Sequence, residues 1–293
     1  MTVILNRFLS VVYRFRSVFI LLLVLAVGAL VYFVASNSFP VAFEKFFTVE
    51  LLTYVLVGIG AQLIDGALGM AYGVSSTTFL MSVGVTPAAA SAAVHVSEVF
   101  TTAVSGFSHF RFKNINKRLF RAMVIPGVLG AMLGAYILTS INGDYIKPFV
   151  SVYLLVMGVV IIRKALCSVI AKEKVQRVGL LALAGGFLDS IGGGGWGPVV
   201  TSTLLSKGRS PKYTIGTVNA TEFFVTFASA GVFTWFMGLQ NISVIAGLVI
   251  GGVIAAPFGA LLVGKIKPKT LMIAVGVLII FLSLRNLLKF LPL

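Results

Sequence analysis

The chain has 293 residues, of which 58% are hydrophobic and only 11% charged, with a mean hydropathy of +1.06. That is far too apolar for a water-soluble domain and indicates a polytopic helical membrane protein. The net charge of +15 does not make it a nucleic-acid binder, because the basic residues stand in short blocks between apolar stretches. The single cysteine, Cys167, excludes an intrachain disulfide and a cysteine-based metal cluster.

Arg7, Arg14 and Arg16 precede the apolar run 17–36. The run is about twice a signal-peptide core, so it reads as a retained first helix with a cytoplasmic N-terminus. Residues 37–50 suit an interfacial stretch outside. Residues 51–81 form a glycine-broken segment. Its halves, 51–64 and 70–81, would each reach only about 18–21 Å as helix, short of the roughly 30 Å hydrocarbon core. They are expected to meet at 65–69, around Asp65. Helices at 87–109, 122–141 and 149–162 follow, separated by a basic block that includes Arg111, Lys117 and Arg121. A second block contains Arg163, Lys164, Lys172 and Lys174. Short halves at 178–188 and 198–205 then flank a second break, 189–195. Helices at 212–237, 243–264 and 270–288 complete the chain. No Lys or Arg is expected within the membrane core.

Residues 65–106 overlay residues 189–230 without a gap. Asp65 falls on Asp189, Gly69 on Gly193, Gly73 on Gly197, Thr77 on Thr201 and Glu98 on Glu222; Tyr72 faces Trp196. The turn at 82–87 has no basic residue, whereas its mate at 206–211 carries Lys207 and Arg209. The positive-inside rule therefore points the two copies in opposite directions. The expected fold is an all-α polytopic membrane protein with two inverted-topology repeats. Each repeat opens with a glycine-broken helix pair, followed by three spanning helices. The organisation reads as 1–50 N-terminal helix and interfacial stretch, 51–164 repeat one, 165–177 basic cytoplasmic linker and 178–293 repeat two. Whether each broken pair is re-entrant or makes two tilted crossings stays open.

Such repeats, with broken helices and intramembrane carboxylates, are how secondary transporters are built. In Gly192–Gly195, Trp196, Gly197 and Pro198, four consecutive glycines cannot hold a helix, while Pro198 suits the first turn of the next one. The exposed N–H groups of a half-helix N-terminus make an anion site. Gly130 and Gly134 read instead as a helix-packing pair. Ser91, His95, Glu98, Thr102 and Ser105 share one helix face, mirrored by Asn219, Glu222, Thr226 and Ser229. A carboxyl taken into low dielectric favours its neutral form, so Glu98 and Glu222 are candidate proton carriers. Asp65 and Asp189, at the breaks, either cap the following half-helix or hold a proton or cation. The candidate substrate contacts are Gly69, Tyr72, Thr77, His95, Gly193, Gly194, Gly195, Trp196, Thr201 and Asn219. The candidate proton-coupling residues are Glu98, Glu222, Asp65 and Asp189. No nucleophile elbow, HExxH or Walker loop is present, so the chain does not read as an enzyme or an ATP-driven pump. No cofactor and no metal site are expected.

The run from Gly185 through Asp189 to Pro198 is similar to that of the TauE/SafE (TSUP) sulfite exporter family. So are Ser105–Arg111 and the glycine-rich stretch Gly127–Ala135. The resemblance covers about residues 51–288. It implies export or uptake of sulfite, sulfonates or related small anions, driven by the proton gradient. The chain departs from the family pattern in its Glu98/Glu222 pair and in a first break without the glycine run and proline. The resulting expectation is a multi-pass inner-membrane secondary transporter. It would move a small, sulfur-containing anion with protons, amid membrane lipids, with room for a homodimer and no nucleic-acid partner. The alternatives are an anion channel without alternating access and a non-transporting membrane scaffold.

Overall fold

In a computed structural model of the chain, residues 48–68, 70–166, 176–207, 209–239, 241–262 and 268–289 are described. The expected helix at 17–36 and most of the linker at 165–177 lie outside them. Every regular element among the described residues is helical: α1 Val49–Leu68, α2 Tyr72–Ser82, α3 Pro87–Arg111, α4 Lys117–Ser140, α5 Gly143–Leu166 and α6 Val178–Gly192. A π-helical turn, Gly197–Thr201, then leads into α7 Ser202–Ser206, followed by α8 Pro211–Met237, α9 Ile242–Leu262 and α10 Pro268–Leu288.

Four of these helices, α4, α5, α8 and α10, are long and apolar enough to cross a membrane. The chain is an all-α polytopic membrane protein. Helix α4 shows the physical pattern. Its buried face carries Gly127, Gly130, Ala131, Gly134 and Ala135. Its exposed face carries Ile125, Leu129, Met132, Leu133 and Tyr136. Small residues face protein and large apolar residues face outward, which suits lipid rather than water. Asn116 caps the helix, accepting from the N–H groups of Arg118 and Leu119 at 3.1 and 3.0 Å.

The packing exchanges equivalent helices between the two halves. Helix α1 lies parallel to α9, with Tyr54 at Gly247 and Val55 and Ile59 at Gly251. Helix α4 lies parallel to α6, with Ala122 at Gly179, Leu183 at Gly130 and Phe187 at Gly134. Shifting the Tyr54–Gly247 contact by the repeat offset lands one residue from the Ala122–Gly179 contact. The two self-equivalent pairs run antiparallel. Between α3 with the turn after it and α8, His95 meets Phe233, Ser105 meets Asn219 and Asn114 meets Gly216. In α5 and α10, Gly158 meets Ile280 and Ile162 meets Gly276.

Both breaks differ from the sequence expectation. Helix α1 runs 20 residues, about 30 Å, and continues through Asp65. Helix α6 runs 15 residues, to Gly192, and continues through Asp189. Each Asp thus sits in the last turn of the first helix, not in the gap. A carboxylate there is poorly placed for its own helix dipole. Asp189 is tolerated there because it reaches across the gap to the N–H groups of Gly195 and Trp196. Of the elements at the breaks, helix α1 alone reaches spanning length; α2 with 11 residues, α6 with 15 (about 22 Å) and the Gly197–Ser206 segment keep the short half-helix length expected.

Candidate functional site

The two breaks touch each other. Gly73 lies so close to the backbone of Gly193 and Gly194 that an added Cβ would sit 2.6 Å from the Gly193 carbonyl oxygen and 2.7 Å from the Gly194 Cα. Gly193 (φ 65°) and Gly194 (φ 152°) adopt conformations that favour glycine. In the first break the matching role falls to Ala71, whose φ is 97°.

Non-helical backbone at this depth must have its polar groups satisfied internally. At the second break, side chains from several helices supply the partners. Thr77 Oγ1 donates to Gly193 O at 2.7 Å, Tyr153 OH to Gly194 O at 3.3 Å and Ser91 Oγ to Ser190 O at 2.6 Å. Asp189 Oδ1 accepts from the N–H groups of Gly195 at 2.6 Å and Trp196 at 2.9 Å. Asp65, the repeat mate of Asp189, lines the same cavity as Tyr72, the repeat mate of Trp196. Asp189 therefore caps the segment that follows its break.

A cavity of about 30 Å³, room for about two waters, lies where the breaks meet. All four candidate coupling carboxylates, Asp65, Glu98, Asp189 and Glu222, line it, together with Tyr72, Gly73, Thr101, Thr102, Gly194 and Gly195. No Lys or Arg is among its lining residues. Glu98 is buried, and its Oε2 has no hydrogen-bond partner. His95 is fully buried beside the cavity, with Nε2 3.3 Å from Asp189 Oδ2 and Nδ1 2.8 Å from the Ser91 carbonyl oxygen.

The candidate substrate contacts divide. Tyr72, Gly194 and Gly195 line the cavity, and the Tyr72 hydroxyl donates to Leu248 O at 3.3 Å. Gly193, Thr77, Thr201 and Asn219 do not line it. Asn219 instead ties α8 to α3, its Nδ2 donating to Ser105 Oγ at 3.0 Å. Trp196 turns its ring away, into an apolar cluster with Leu119, Met123 and Val225, and its indole N–H donates to Val218 O. Gly69 lies outside the described residues. The glycine run is tightly packed, and the N–H groups of Gly195 and Trp196, offered by the sequence as anion donors, are already taken by Asp189. Gly130 and Gly134 pack helix on helix, as expected.

Two features escaped the sequence. Four carboxylates separated by up to 157 positions converge on one cavity. Lys164 does not stay in the basic block: its ammonium donates to Pro198 O at 2.5 Å and to Ser202 Oγ, and Ser202 Oγ itself donates to Pro198 O. That carbonyl belongs to the π-helical turn, and Pro198 itself lines the cavity, so a cation is held directly behind the cavity wall.

The profile of the family described as Sulfite exporter TauE/SafE matches residues 54–286. The chain belongs to that family. Within it, the chain is 42% identical over 250 residues to "Probable membrane transporter protein YtnM" of Bacillus subtilis (strain 168). The match covers 82% of this chain and 83% of the relative. No solved structure matches the chain. Membership makes this TauE/SafE chain a membrane transporter, and the family-matched region includes both breaks and the whole cavity.

Proposed function

We propose that the protein is a proton-coupled secondary transporter of a small, sulfur-containing anion such as sulfite or a sulfonate, working by alternating access. The observation that carries the mechanism is the four-carboxylate cavity with no Lys or Arg on its wall. Four ionised carboxylates would repel an anion, so an anion can occupy this space only when they are neutralised. Protons taken up with the anion supply that neutralisation, which couples the two fluxes in the same direction. Glu98 and Glu222 sit on the antiparallel self-equivalent helices α3 and α8, so each repeat contributes one such group. Asp65 and Asp189 contribute the other two from the ends of α1 and α6. In this reading 51–164 and 178–293 are repeats inserted in opposite orientations. The antiparallel crossings of α3 with α8 and of α5 with α10 support it.

The small volume favours a transporter over a channel. About 30 Å³ holds water but not an oxyanion with its shell, so substrate binding requires the cavity to widen, as alternating access provides. Counterflow in proteoliposomes separates the two readings. Unlabelled sulfite inside should drive transient accumulation of labelled sulfite against its gradient. Simple equilibration without overshoot would contradict alternating access.

A further inference from the structure

We infer that His95, Glu98 and Asp189 form a binding site for one divalent first-row transition cation, at the junction of the two breaks. This stands independently of which solute the protein carries. One imidazole nitrogen and one oxygen from each carboxylate lie within 4.8 Å of one another, and all three residues are buried.

Four observations point to a ligand rather than a closed hydrogen-bond network. The Ser91 carbonyl can only accept, so His95 Nδ1, 2.8 Å away, is the donor. The lone pair of a neutral imidazole then lies on Nε2, facing Asp189 Oδ2. A metal-binding histidine is oriented in this way, its other N–H held by a backbone carbonyl. Second, the Nε2–Oδ2 separation of 3.3 Å is long for an imidazolium–carboxylate hydrogen bond, about 2.7–2.9 Å. Two ligand atoms 3.3 Å apart, each about 2.1 Å from a shared zinc-class ion, subtend about 104° at that ion, close to tetrahedral. Third, Glu98 Oε2 is buried without any partner, on a side chain that lines the cavity. The 4.8 Å limit exceeds the roughly 3.4 Å expected between tetrahedral ligands, a gap that torsions of the flexible Glu98 side chain can close. Fourth, the second oxygen of Asp189 is fixed by Gly195 and Trp196, so the carboxylate is held in orientation before any ion arrives. One imidazole with two carboxylates suits zinc, manganese, cobalt or nickel better than calcium or magnesium. A bound divalent ion would neutralise two of the four carboxylates, and the cavity leaves its remaining coordination positions to water or to a transported oxyanion.

The test uses the full chain, purified in detergent and stripped with a chelator, in a Cys167→Ser, His109→Gln background that removes the other thiol and imidazole ligands. Metal content after equilibration with Zn²⁺ should approach one ion per chain. Zn²⁺ and Co²⁺ should raise the unfolding temperature, whereas Mg²⁺ and Ca²⁺ should not. Glu98→Gln removes a charge whose Oε2 makes no hydrogen bond, so it should leave the fold intact and weaken Zn²⁺ binding at least about tenfold. His95→Gln should do the same and should alter the visible absorption of the Co²⁺ form. Stoichiometric binding that survives both substitutions, or no binding in the background protein, would overturn the site. Either result would leave anion counterflow, measured separately, untouched.

Discussion

Asp189 links structure to function most sharply, because one of its oxygens caps a helix while the carboxylate also faces the cavity. Its Oδ1 accepts from two N–H groups, of Gly195 and Trp196, and both residues are buried. Replacing Asp189 with Ala leaves two buried donors without an acceptor, at about 1–3 kcal/mol each, so roughly 2–6 kcal/mol in all. Replacing it with Asn keeps an oxygen where Oδ1 stands and turns an amide N–H toward His95 Nε2. The expected loss is then only about 1 kcal/mol. At about 2–4 °C per kcal/mol for a chain of this size, Asp189→Ala should lower the unfolding temperature by roughly 5–20 °C. Asp189→Asn should lower it by only a few degrees. Thermal unfolding in detergent, followed by the environment of Trp196 and Trp235, measures both. The capping account fails if the Ala variant unfolds with the wild type, or if Asn costs as much as Ala.

Three further outcomes follow from the same geometry. Gly73→Ala places a methyl 2.6 Å from the Gly193 carbonyl and should destabilise the protein and abolish transport, while Gly60→Ala, whose Cβ meets nothing within 4 Å, should be tolerated or gain up to about 1 kcal/mol; paired unfolding and flux assays decide. Gly130→Ala drives its methyl into the Leu183 backbone, which cannot rotate away, so a loss of about 1–3 kcal/mol is expected in the same assay. In proteoliposomes, Glu98→Gln and Glu222→Gln should each remove most of the pH dependence of anion flux; unchanged rate and pH profile in both would remove the carboxylates from the coupling role.

Much of the architecture was legible because it is written in periodicity and composition. The long helices of both halves fall within six residues of their expected ends, and four of them are apolar enough to span. The stripe from Ser91 through Glu98 to Thr102 is a buried face of α3. The aspartates stood out as anomalous residues, and for Asp189 the capping reading matches its bonds to Gly195 and Trp196. What the sequence did not disclose was contact. Nothing in the run Gly192–Gly195 distinguishes a glycine that faces a ligand from one that admits Thr77 or Tyr153, since both need the absence of a Cβ. Trp196 looked like an aromatic wall for the substrate. Its backbone belongs to the break while its ring belongs to the core, a division that only tertiary packing decides. Lys164 was hidden by its neighbours, because a charge in a basic block reads as solvated until the Pro198 carbonyl is placed beside it. The extent of α1 and α6 through their aspartates was missed for a related reason: the partners that make a carboxylate acceptable in a last turn lie beyond the gap.

The proposed coupling is tested most directly by labelled sulfite uptake into proteoliposomes under an imposed pH gradient, with the membrane potential clamped. If protons neutralise the carboxylate cavity and travel with the anion, acid on the same side as the sulfite accelerates uptake, and the gradient drives accumulation above equilibrium. Uptake that is indifferent to the gradient, or faster with acid on the opposite side, would contradict it.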